Sequence, residues 1–330
     1  MKVAILSRNR QLHSIQRLLK EAKTLRVQCE VFDPLDCQIV VGRGINNVIY
    51  HDRPLPELDV IIPRIGTSIT DYGLAVVRQF ESLGIKIVNG SKGIAESRDK
   101  LRCLQVLAEK GYEVPTTVLM RGSRGSKMAL RQVQGTPAVM KLIQGTQGVG
   151  VMLVESPTSC ESVLDTMWGL GQDVILQQYI SESAGRDIRA FVIGDKVVAS
   201  MRRQAREGEF RSNIHRGGEG APIELKDHYK RLAVQAAKAV GLSVAGVDML
   251  ESLTGPKIVE INSSPGFEGI EAATGLNVAR LIMQHAVAFG RGKTGSRARA
   301  RKRAAPRVKP VTRKPAKPAA KRTAPRTKRR

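Results

Sequence analysis

The eleven residues Ile258-Val259-Glu260-Ile261-Asn262-Ser263-Ser264-Pro265-Gly266-Phe267-Glu268 decide how this chain folds and indicate its chemistry. β-Branched residues begin the stretch and Pro265-Gly266 ends it, which predicts a strand followed by a turn. Side chains alternate between the two faces of a strand, so Glu260 and Asn262 project to the same side. A carboxylate beside an amide carbonyl provides hard oxygen ligands, and these suit Mg²⁺.

A second apolar strand, Val244–Leu250, contains a single acidic residue, Asp248. If this strand pairs with the first, Asp248 supplies a third oxygen ligand to the same ion. The alternative is that Asp248 and Glu260 are ordinary strand-end charges that face water. The other motifs of the chain favour the metal site.

The charge of the chain is concentrated at one end. The formal net charge is +24, and residues 291–330 contain 18 Lys or Arg and no Asp or Glu. The first 290 residues, with 36 basic and 30 acidic groups, are only mildly basic. From Gly290 onward the apolar pattern gives way to Pro, Ala, Lys, Arg and Thr. Such a segment buries too little apolar surface to offset its ordering entropy, so a disordered basic tail is predicted over 290–330.

Composition also argues against several protein classes. The four cysteines (Cys29, Cys37, Cys103 and Cys160) form no C-x-x-C pair, which disfavours a zinc site or a disulfide scaffold. The N-terminus enters a strand directly, without the apolar core and cleavage site of a signal peptide, and no long apolar span follows. We therefore expect a cytoplasmic protein that has no membrane partner.

Residues 1–96 alternate strand and helix signals. This rhythm predicts an α/β domain with a small parallel sheet covered by helices. No G-x-G-x-x-G follows the first strand, so no dinucleotide site is expected there. The predicted elements are the strands Lys2–Leu6, Val27–Phe32, Val60–Pro63 and Lys86–Val88 and the helices Gln11–Lys23 and Thr70–Leu83.

Residues 97–289 show a different order of elements, which predicts an α+β domain with antiparallel strand pairs flanked by helices. A polar loop is expected over Arg202–Glu219. The predicted helices are Arg98–Gly111, Thr158–Leu170, Lys226–Val240 and Asn277–Ala288, with a short one between the first two strands. Besides the two metal-site strands, the predicted strands are Thr116–Met120, Ala138–Leu142, Val151–Val154, Val174–Ile180, Asp187–Ile193 and Lys196–Met201.

Two lysines and a glycine-rich turn are candidates for binding phosphate. Lys141 lies near the end of its strand, and Gly145-Thr146-Gln147-Gly148-Val149-Gly150 follows. Glycines let backbone N–H groups approach phosphate oxygens, and a nearby ammonium adds positive charge. The turn is not a Walker A loop, because no Gly-Lys-Ser/Thr ends it. A simple hairpin turn is the alternative, and Lys100 taken alone is equally a solvated helix charge.

Further polar groups follow the strand Val174–Ile180, whose polar end can present backbone groups to an adenine edge or serve only in the structure. Asp187 and Arg189 share a strand face at a spacing of two residues. The planar guanidinium of arginine can bind a phosphate or a carboxylate through two parallel hydrogen bonds. The loop expected next is therefore a candidate anionic site; its arginines are Arg202, Arg203, Arg206 and Arg211.

With these residues in view, the chain resembles the ATP-grasp superfamily of carboxylate–amine ligases, and within it the RimK-type members, which add glutamate to the C-terminus of ribosomal protein S-six. The similarity extends from Met1 to about residue 288. The motifs that carry it are Pro63-Arg64-Ile65-Gly66-Thr67, Arg98-Asp99-Lys100, Gly145–Gly148, Phe210–Gly218, Ala245–Asp248 and Val259–Gly266.

The resemblance implies an ATP-grasp fold after a pre-ATP-grasp domain, with ATP and two Mg²⁺ ions bound and Mn²⁺ as a substitute. Lys100 and Lys141 would contact the ATP phosphates, and the turn with Gly148 and Gly150 would fold over them. Arg203 and Arg211 would steady the transferring phosphoryl group. The other implied contacts are Gln178, Tyr179 and Ile180 at the adenine, Asp187 at the nucleoside, Arg211, Ser212 and Asn213 beside the nucleotide, and Asp248, Glu260 and Asn262 on the metal. Gln178 departs from the glutamate that relatives often carry.

The implied reaction activates a substrate carboxylate as an acyl phosphate, which an amine then displaces. The implied substrates are L-glutamate and a ribosomal protein, and the implied assembly is a homo-tetramer. The basic tail predicts binding to ribosomes or RNA, which should weaken steeply with salt; a solubility extension is the alternative. Two other functions stay open: a ligase of free amino acids or polyglutamate, and a ribosome-binding protein that has lost catalysis.

Overall fold

The computed structural model describes residues 1–143, 150–207, 209–210 and 218–292. In the N-terminal part, β1, β2, β6 and β7 form a parallel sheet in the order β2-β1-β6-β7. This arrangement confirms the predicted parallel α/β domain. The elements are β1 (Lys2–Leu6), α1 (His13–Thr24), β2 (Gln28–Phe32), β3 (Cys37–Gly42), β4 (Ile45–Tyr50), β5 (Arg53–Pro54), β6 (Val60–Pro63), α2 (Thr70–Ser82), β7 (Lys86–Ile87) and α3 (Ser91–Arg98).

Between β2 and β6 in the chain, the strands β3, β4 and β5 form a separate small antiparallel sheet. The sequence analysis did not predict this sheet. Its first two strands are joined at Arg43-Gly44, where Gly44 has a φ of +74°. Val48 is fully buried in the same apolar cluster as Phe80 of α2, so one face of the added sheet packs on the domain core.

The rest of the fold contains two antiparallel sheets. Strands β8 to β11 have the order β10-β9-β11-β8, and β12 to β16 have the order β14-β13-β12-β15-β16. The elements are α4 (Lys100–Glu109), β8 (Thr117–Met120), α5 (Ser126–Gln132), β9 (Ala138–Leu142), β10 (Val151–Val154), α6 (Pro157–Gly169), β11 (Val174–Gln178), β12 (Arg186–Ile193), β13 (Lys196–Gln204), β14 (Glu219–Pro222), α7 (Asp227–Ala239), β15 (Val244–Ser252), β16 (Gly255–Asn262), α8 (Glu268–Thr274) and α9 (Val278–Arg291).

The helix predicted from Arg98 to Gly111 is wrong at its start. Arg98 ends α3, and Asp99 has an extended backbone (φ −83°, ψ 108°). Its carboxylate accepts a hydrogen bond from the Arg102 amide at 2.9 Å, as an N-cap residue does. Lys100 is therefore the first residue of α4, and the cap fixes where its side chain begins.

The predicted loop from Arg202 to Glu219 is also partly wrong. β13 continues to Gln204, and Glu219 opens the edge strand β14. Arg202 and Arg203 therefore lie in a strand, and successive side chains of a strand point to opposite faces.

The N-terminal sheet and the last sheet share one apolar core. Ile5 of β1 and Phe191 of β12 are fully buried in the same cluster, together with Ile282 of α9. Residues 1–293 accordingly form one compact unit. α9 ends at Arg291, two residues inside the segment predicted as tail. The remainder of that prediction, 293–330, lies outside the described residues.

Candidate active site

The two metal-site strands are paired, which is the condition that the sequence analysis set for Asp248 to join the other two donors. β15 and β16 are antiparallel, and Asp248 is the direct partner of Glu260, while Gly246 is the partner of Asn262. A bulge follows Asp248, where the register shifts by one residue. The three predicted oxygen donors therefore come from one short stretch of two adjacent strands.

Gly246 allows the turn after β16 to lie against β15. A Cβ on Gly246 would come within 2.9 Å of the Pro265 side chain, which is closer than real contacts allow. The close approach positions Asn262 and the residues after it, so this glycine is required by packing.

Asp248 is buried and held by two arginines. Arg189 donates Nε and Nη2 to the two carboxylate oxygens at 2.7 and 2.6 Å, and Arg203 Nη2 donates to Oδ2 at 3.0 Å. Burial acts to raise the pKa of Asp248, but the Arg189 and Arg203 charges lower it below its ordinary value. The carboxylate is therefore fixed in its ionised form.

Arg203 also pairs with Asp187. Its Nε donates to Asp187 Oδ1 at 2.6 Å, and its Nη2 donates to Oδ2. Burial tends to lower the pKa of Arg203, yet the Asp248 and Asp187 carboxylates raise it above the ordinary value. Arg203 and Asp187, predicted to contact the phosphoryl group and the nucleoside, are thus bound to each other in this structure.

The predicted four-arginine cluster does not form one site among the described residues. Arg203 points to Asp248, whereas Arg202 donates to the Glu251 carboxylate at 3.0 Å on the opposite face of β13. The alternation of side chains along a strand separates the two. Arg211, predicted as catalytic, lies outside the described residues, as do Ser212, Asn213 and Gly148.

The two predicted lysines converge on the metal-site residues. Lys141 Nζ donates to Gln177 Oε1 at 2.7 Å, and Lys100 Nζ donates to the Leu142 carbonyl at 2.9 Å. Burial lowers the pKa of Lys141 to about 8, and the Glu260 carboxylate opposes that shift. Burial also lowers the pKa of Lys100, again opposed by Glu260.

Two ammonium groups and Glu260 therefore lie within one electrostatic neighbourhood. Asp248 also acts on Lys141, which connects the lysines of one sheet to the acids of the other. Two partly buried cations near each other favour the binding of phosphate, because an incoming polyanion relieves their desolvation cost.

Gly150 borders this region and meets a strict steric requirement. Its φ is +72°, and an added Cβ would lie 2.7 Å from Leu142 Cδ1. The Gly150 carbonyl accepts a hydrogen bond from the Leu142 amide at 2.9 Å, which closes the strand pair of β9 and β10. Glycine is needed here for the turn itself.

The predicted adenine hinge follows β11. Gln178 ends that strand, and its Nε2 donates to Gln134 Oε1 at 2.7 Å, so its side chain is directed to a neighbouring loop. Ile180 is buried, and Tyr179 lines an open cavity of about 470 Å³. The cavity is bordered by Gln204 and Phe210, and its lining includes neither lysine.

The residues fit a magnesium ion by the chemistry of their donors. The Glu260 side chain is exposed and makes no hydrogen bond or ion pair in the described part of the chain, and the Asn262 Nδ2 atom is buried there without an acceptor. The described ranges contain no group of three or more His, Cys, Asp or Glu that could hold a metal. The Asn262 amide oxygen would therefore complete a set of hard oxygen ligands with the two carboxylates.

Sequence reasoning gave no role to several residues of this region. Arg189 had a signal, because it lies two residues after Asp187 on the same strand face. Gln177, which accepts from Lys141 and donates to Thr117 Oγ1 at 2.8 Å, resembled any polar residue at a strand end.

The comparisons with known proteins decide the family. Residues 97–286 match the RimK-like ATP-grasp domain, and residues 1–94 match the RimK PreATP-grasp domain. The chain belongs to the RimK-like ATP-grasp family. The predictions of an ATP-grasp ligase and of its pre-ATP-grasp domain are thereby confirmed.

Two relatives support this family assignment. The chain is 50% identical over 283 residues to the probable alpha-L-glutamate ligase of Marinobacter nauticus, covering 86% of this chain and 94% of that protein. It is 48% identical over 285 residues to the protein of the same name from Marinomonas sp., covering 86% and 95%.

The fold also matches the ATP-grasp ligase PsnB in complex with a minimal precursor (TM-score 0.69, 20% identity, 87% and 98% coverage). A RimK domain ATP-grasp protein from Sphaerobacter thermophilus matches with a TM-score of 0.66, 19% identity and coverage of 87% and 100%. Within the described residues, no helix has the length and apolar character that a bilayer crossing requires.

Proposed function

We propose that this chain is an ATP-dependent ligase that adds L-glutamate to the C-terminal carboxylate of a ribosomal protein. The observation that carries the proposal is the convergence of Lys100 and Lys141 with Asp248 and Glu260 at the meeting of two sheets. The half-identical relatives named as probable alpha-L-glutamate ligases support the choice of amino acid.

The reaction needs positioning and charge neutralisation more than a protein nucleophile. An acceptor carboxylate oxygen bonds to the γ-phosphorus of ATP while the bond to the bridging oxygen breaks and ADP leaves. The glutamate amine then attacks the acyl carbon, loses a proton, and phosphate departs with its oxygen. Lys100 and Lys141 would neutralise the phosphates during the first step.

The metal would be held by Asp248, Glu260 and Asn262, and when bound, Mg²⁺ would neutralise charge on the phosphate oxygens. Arg189 orients the Asp248 carboxylate through two hydrogen bonds. Arg203 and Asp187 occupy the face beside it, where Arg203 stays a predicted partner of the transferring phosphoryl group. Mn²⁺ as a substitute, the tetramer and the cytoplasmic location also stay predictions.

The test is mass spectrometry of purified ribosomal proteins after incubation with the ligase, ATP, Mg²⁺ and L-glutamate. A mass gain of one or more glutamyl residues at an acceptor C-terminus is expected, and the Glu260→Gln enzyme should give none. Products formed from free glutamate alone would instead favour the ligase of free amino acids. If the protein hydrolyses no ATP with any acceptor, the result would favour a ribosome-binding protein that has lost catalysis.

The basic tail suggests how the acceptor is found. Eighteen positive charges between residues 291 and 330 should attract ribosomal RNA, with affinity falling as salt rises. The test compares ribosome co-sedimentation of the full chain with that of residues 1–292, at low and moderate salt. The full chain should be retained more strongly at low salt.

The cut is placed after residue 292 because Lys86 Nζ donates to the Phe289 and Gly290 carbonyls at 3.1 Å and also to that of Gly292. These bonds close the C-terminus of α9 and should be kept. Equal retention of the two proteins at low salt would contradict the role of the tail.

A further inference from the structure

Two arginines of the N-terminal part meet the loop that follows the metal-site strand. Arg64, just after β6, donates Nη1 to the Pro265 carbonyl at 2.9 Å, and its guanidinium lies 5.7 Å from the ring centre of Phe267. Arg98, at the end of α3, donates Nη2 to the carbonyl of Ile65. Arg64 therefore contacts the turn that begins directly after Asn262, and Arg98 contacts the residue next to Arg64.

This arginine pair, Arg64 and Arg98, has no carboxylate in contact among the described residues. Each guanidinium has five N–H donors, and each makes a single hydrogen bond, to a backbone carbonyl, within that part of the chain. Burial lowers the pKa of Arg64 to about 10, and the charge of Arg98 acts in the same direction. Burial also lowers the pKa of Arg98.

The neighbouring arginines show what the pair is missing. Arg189 is partly buried, as Arg64 and Arg98 are, and Arg203 is buried, but Arg189 and Arg203 are each held by the carboxylate of Asp248 or Asp187. Two like charges placed side by side in a half-buried position are costly unless an anion joins them. Both residues keep part of their surface in contact with solvent, so such an anion can reach them.

The chemistry of the proposed reaction identifies the anion. The acceptor carboxylate is consumed, but the incoming glutamate brings an α-carboxylate and a γ-carboxylate that do not react. These charges must lie near the site of attack and need cationic partners. The fork of an arginine is the side chain best matched to a carboxylate.

We propose that Arg64 and Arg98 together bind one of the two non-reacting carboxylates of the incoming glutamate. The inference rests on the proposed function for the identity of the ligand. The site joins the N-terminal domain to the catalytic sheet, since Pro265 lies three residues beyond Asn262. Bound glutamate would place its amine on the side of the metal-site turn and neutralise the arginine pair.

The first experiment needs no variant. Thermal unfolding of the full-length protein is followed with glutarate, a dicarboxylate without an amine, and with glutaramide, its neutral counterpart. Glutarate should raise the unfolding temperature and glutaramide should not. Equal effects of the two compounds would overturn the proposal.

The second experiment uses Arg64→Lys, Arg98→Lys and, as a matched control, the exposed Arg102→Lys of the next helix. The first two should raise KM for glutamate by about 10-fold or more, because the two-point contact of the fork is lost, and leave KM for ATP within about twofold. They should also lose the glutarate stabilisation, while Arg102→Lys retains it. Unchanged KM for glutamate in both folded variants would overturn the site.

Two analogues identify the carboxylate. L-glutamine lacks the γ-charge, and the α-amide of glutamate lacks the α-charge. One analogue should be a poor substrate of the wild-type enzyme and should become no poorer in Arg64→Lys. The charge that this analogue lacks identifies the carboxylate that the arginine pair binds. An additional loss with both analogues would contradict the proposal.

Failure of the function and failure of the site are distinguishable. Suppose that no acceptor is glutamylated but glutarate still stabilises the wild type and not Arg64→Lys or Arg98→Lys. That result would support the anion site and contradict the proposed reaction. If glutamylation occurs with wild-type KM in both variants, the reaction stands and the site falls.

Discussion

Arg189 and Asp248 are direct partners across β12 and β15, and the Arg189 guanidinium holds both oxygens of the Asp248 carboxylate at 2.7 and 2.6 Å. On the other side of Asp248, β16 places Glu260 as its partner. A cation and two acids thus form a row across three strands. Asp248, a proposed metal ligand, also belongs to a buried ion network, whereas the Glu260 side chain is exposed and makes no ion pair in the described part of the chain.

The first prediction concerns these two acids. Glu260→Gln should abolish Mg²⁺-dependent binding of nucleotide, measured by titration calorimetry, with little change in urea stability, because the Glu260 side chain makes no hydrogen bond or ion pair in the described part of the chain. Asp248→Asn should abolish binding and also cost roughly 3 kcal/mol of stability, since it leaves Arg189 without its carboxylate and Arg203 with that of Asp187 alone. Wild-type stability of Asp248→Asn would contradict the buried network.

The second prediction concerns Arg189. Arg189→Gln should lower the free energy of unfolding by about 2 kcal/mol at pH 7, because the buried Asp248 keeps only Arg203. Exposed Arg186→Gln, on the same strand, serves as the control and should change it by less than about 0.5 kcal/mol.

The pH dependence of that difference has a definite sign. The arginines lower the pKa of Asp248 in the folded state, so their stabilisation is present above the unfolded pKa of about 3.9. The difference between wild type and Arg189→Gln should therefore shrink as the pH falls through and below that value. A difference that grows on acidification would contradict the assignment.

The third prediction concerns Lys141. Burial lowers its pKa from 10.5 to about 8, so at pH 7 the folded protein carries a charge that its surroundings disfavour. Lys141→Met should raise the free energy of unfolding by about 2 kcal/mol, after allowing for the lost bond to Gln177, and should greatly weaken binding of ATP with Mg²⁺.

Wild-type stability should also respond to pH through this group. Between about pH 8 and 10.5 the unfolded state binds more protons at Lys141 than the folded state, so this contribution rises with pH. Lys141→Met should lose that part of the slope in urea denaturation. An unchanged slope would show that Lys141 is not desolvated.

The fourth prediction concerns Asn89, which joins the N-terminal domain to the metal-site sheet. Its Nδ2 donates to the Val244 and Ser263 carbonyls at 2.7 and 2.8 Å, and its Oδ1 accepts from the Ser243 and Val244 amides. Asn89→Ala should cost about 3 kcal/mol, because buried backbone groups lose their partner. It should also weaken Mg²⁺ binding, because Ser263 follows Asn262.

Asn9→Ala is the matched control for Asn89, since Asn9 is exposed and its side chain accepts one local bond, from the Gln11 amide. Its effect should stay below about 1 kcal/mol. Loss of stability without any change in metal affinity in Asn89→Ala would limit Asn89 to a structural role.

Local patterns were sufficient for most of the elements. Apolar and β-branched runs located β15 and β16, and Asp248 and Glu260 within them indicated which side chains could meet. The small sheet of β3, β4 and β5 was missed because its turn, Arg43-Gly44, lacks the usual Asn-Gly signal and several of its residues are exposed. The end of β13 at Arg202 to Gln204 was missed because successive charged and polar residues are typical of a loop. In the structure Arg203 lies in the strand and pairs with Asp187 and Asp248.

The sequence by itself determined the family, the two domain folds and the candidate oxygen donors Asp248, Glu260 and Asn262, because each depends on residues that are close in the chain or recur with a fixed period. The tertiary structure showed that Asp248 pairs with Glu260. Only the tertiary structure decided that Asp248 is held by Arg189 and Arg203, that burial lowers the pKa of Lys141, and that Arg64 and Arg98 lie near each other without a carboxylate in contact among the described residues. These properties depend on burial and on contacts between residues far apart in the chain. Neither is encoded in local periodicity.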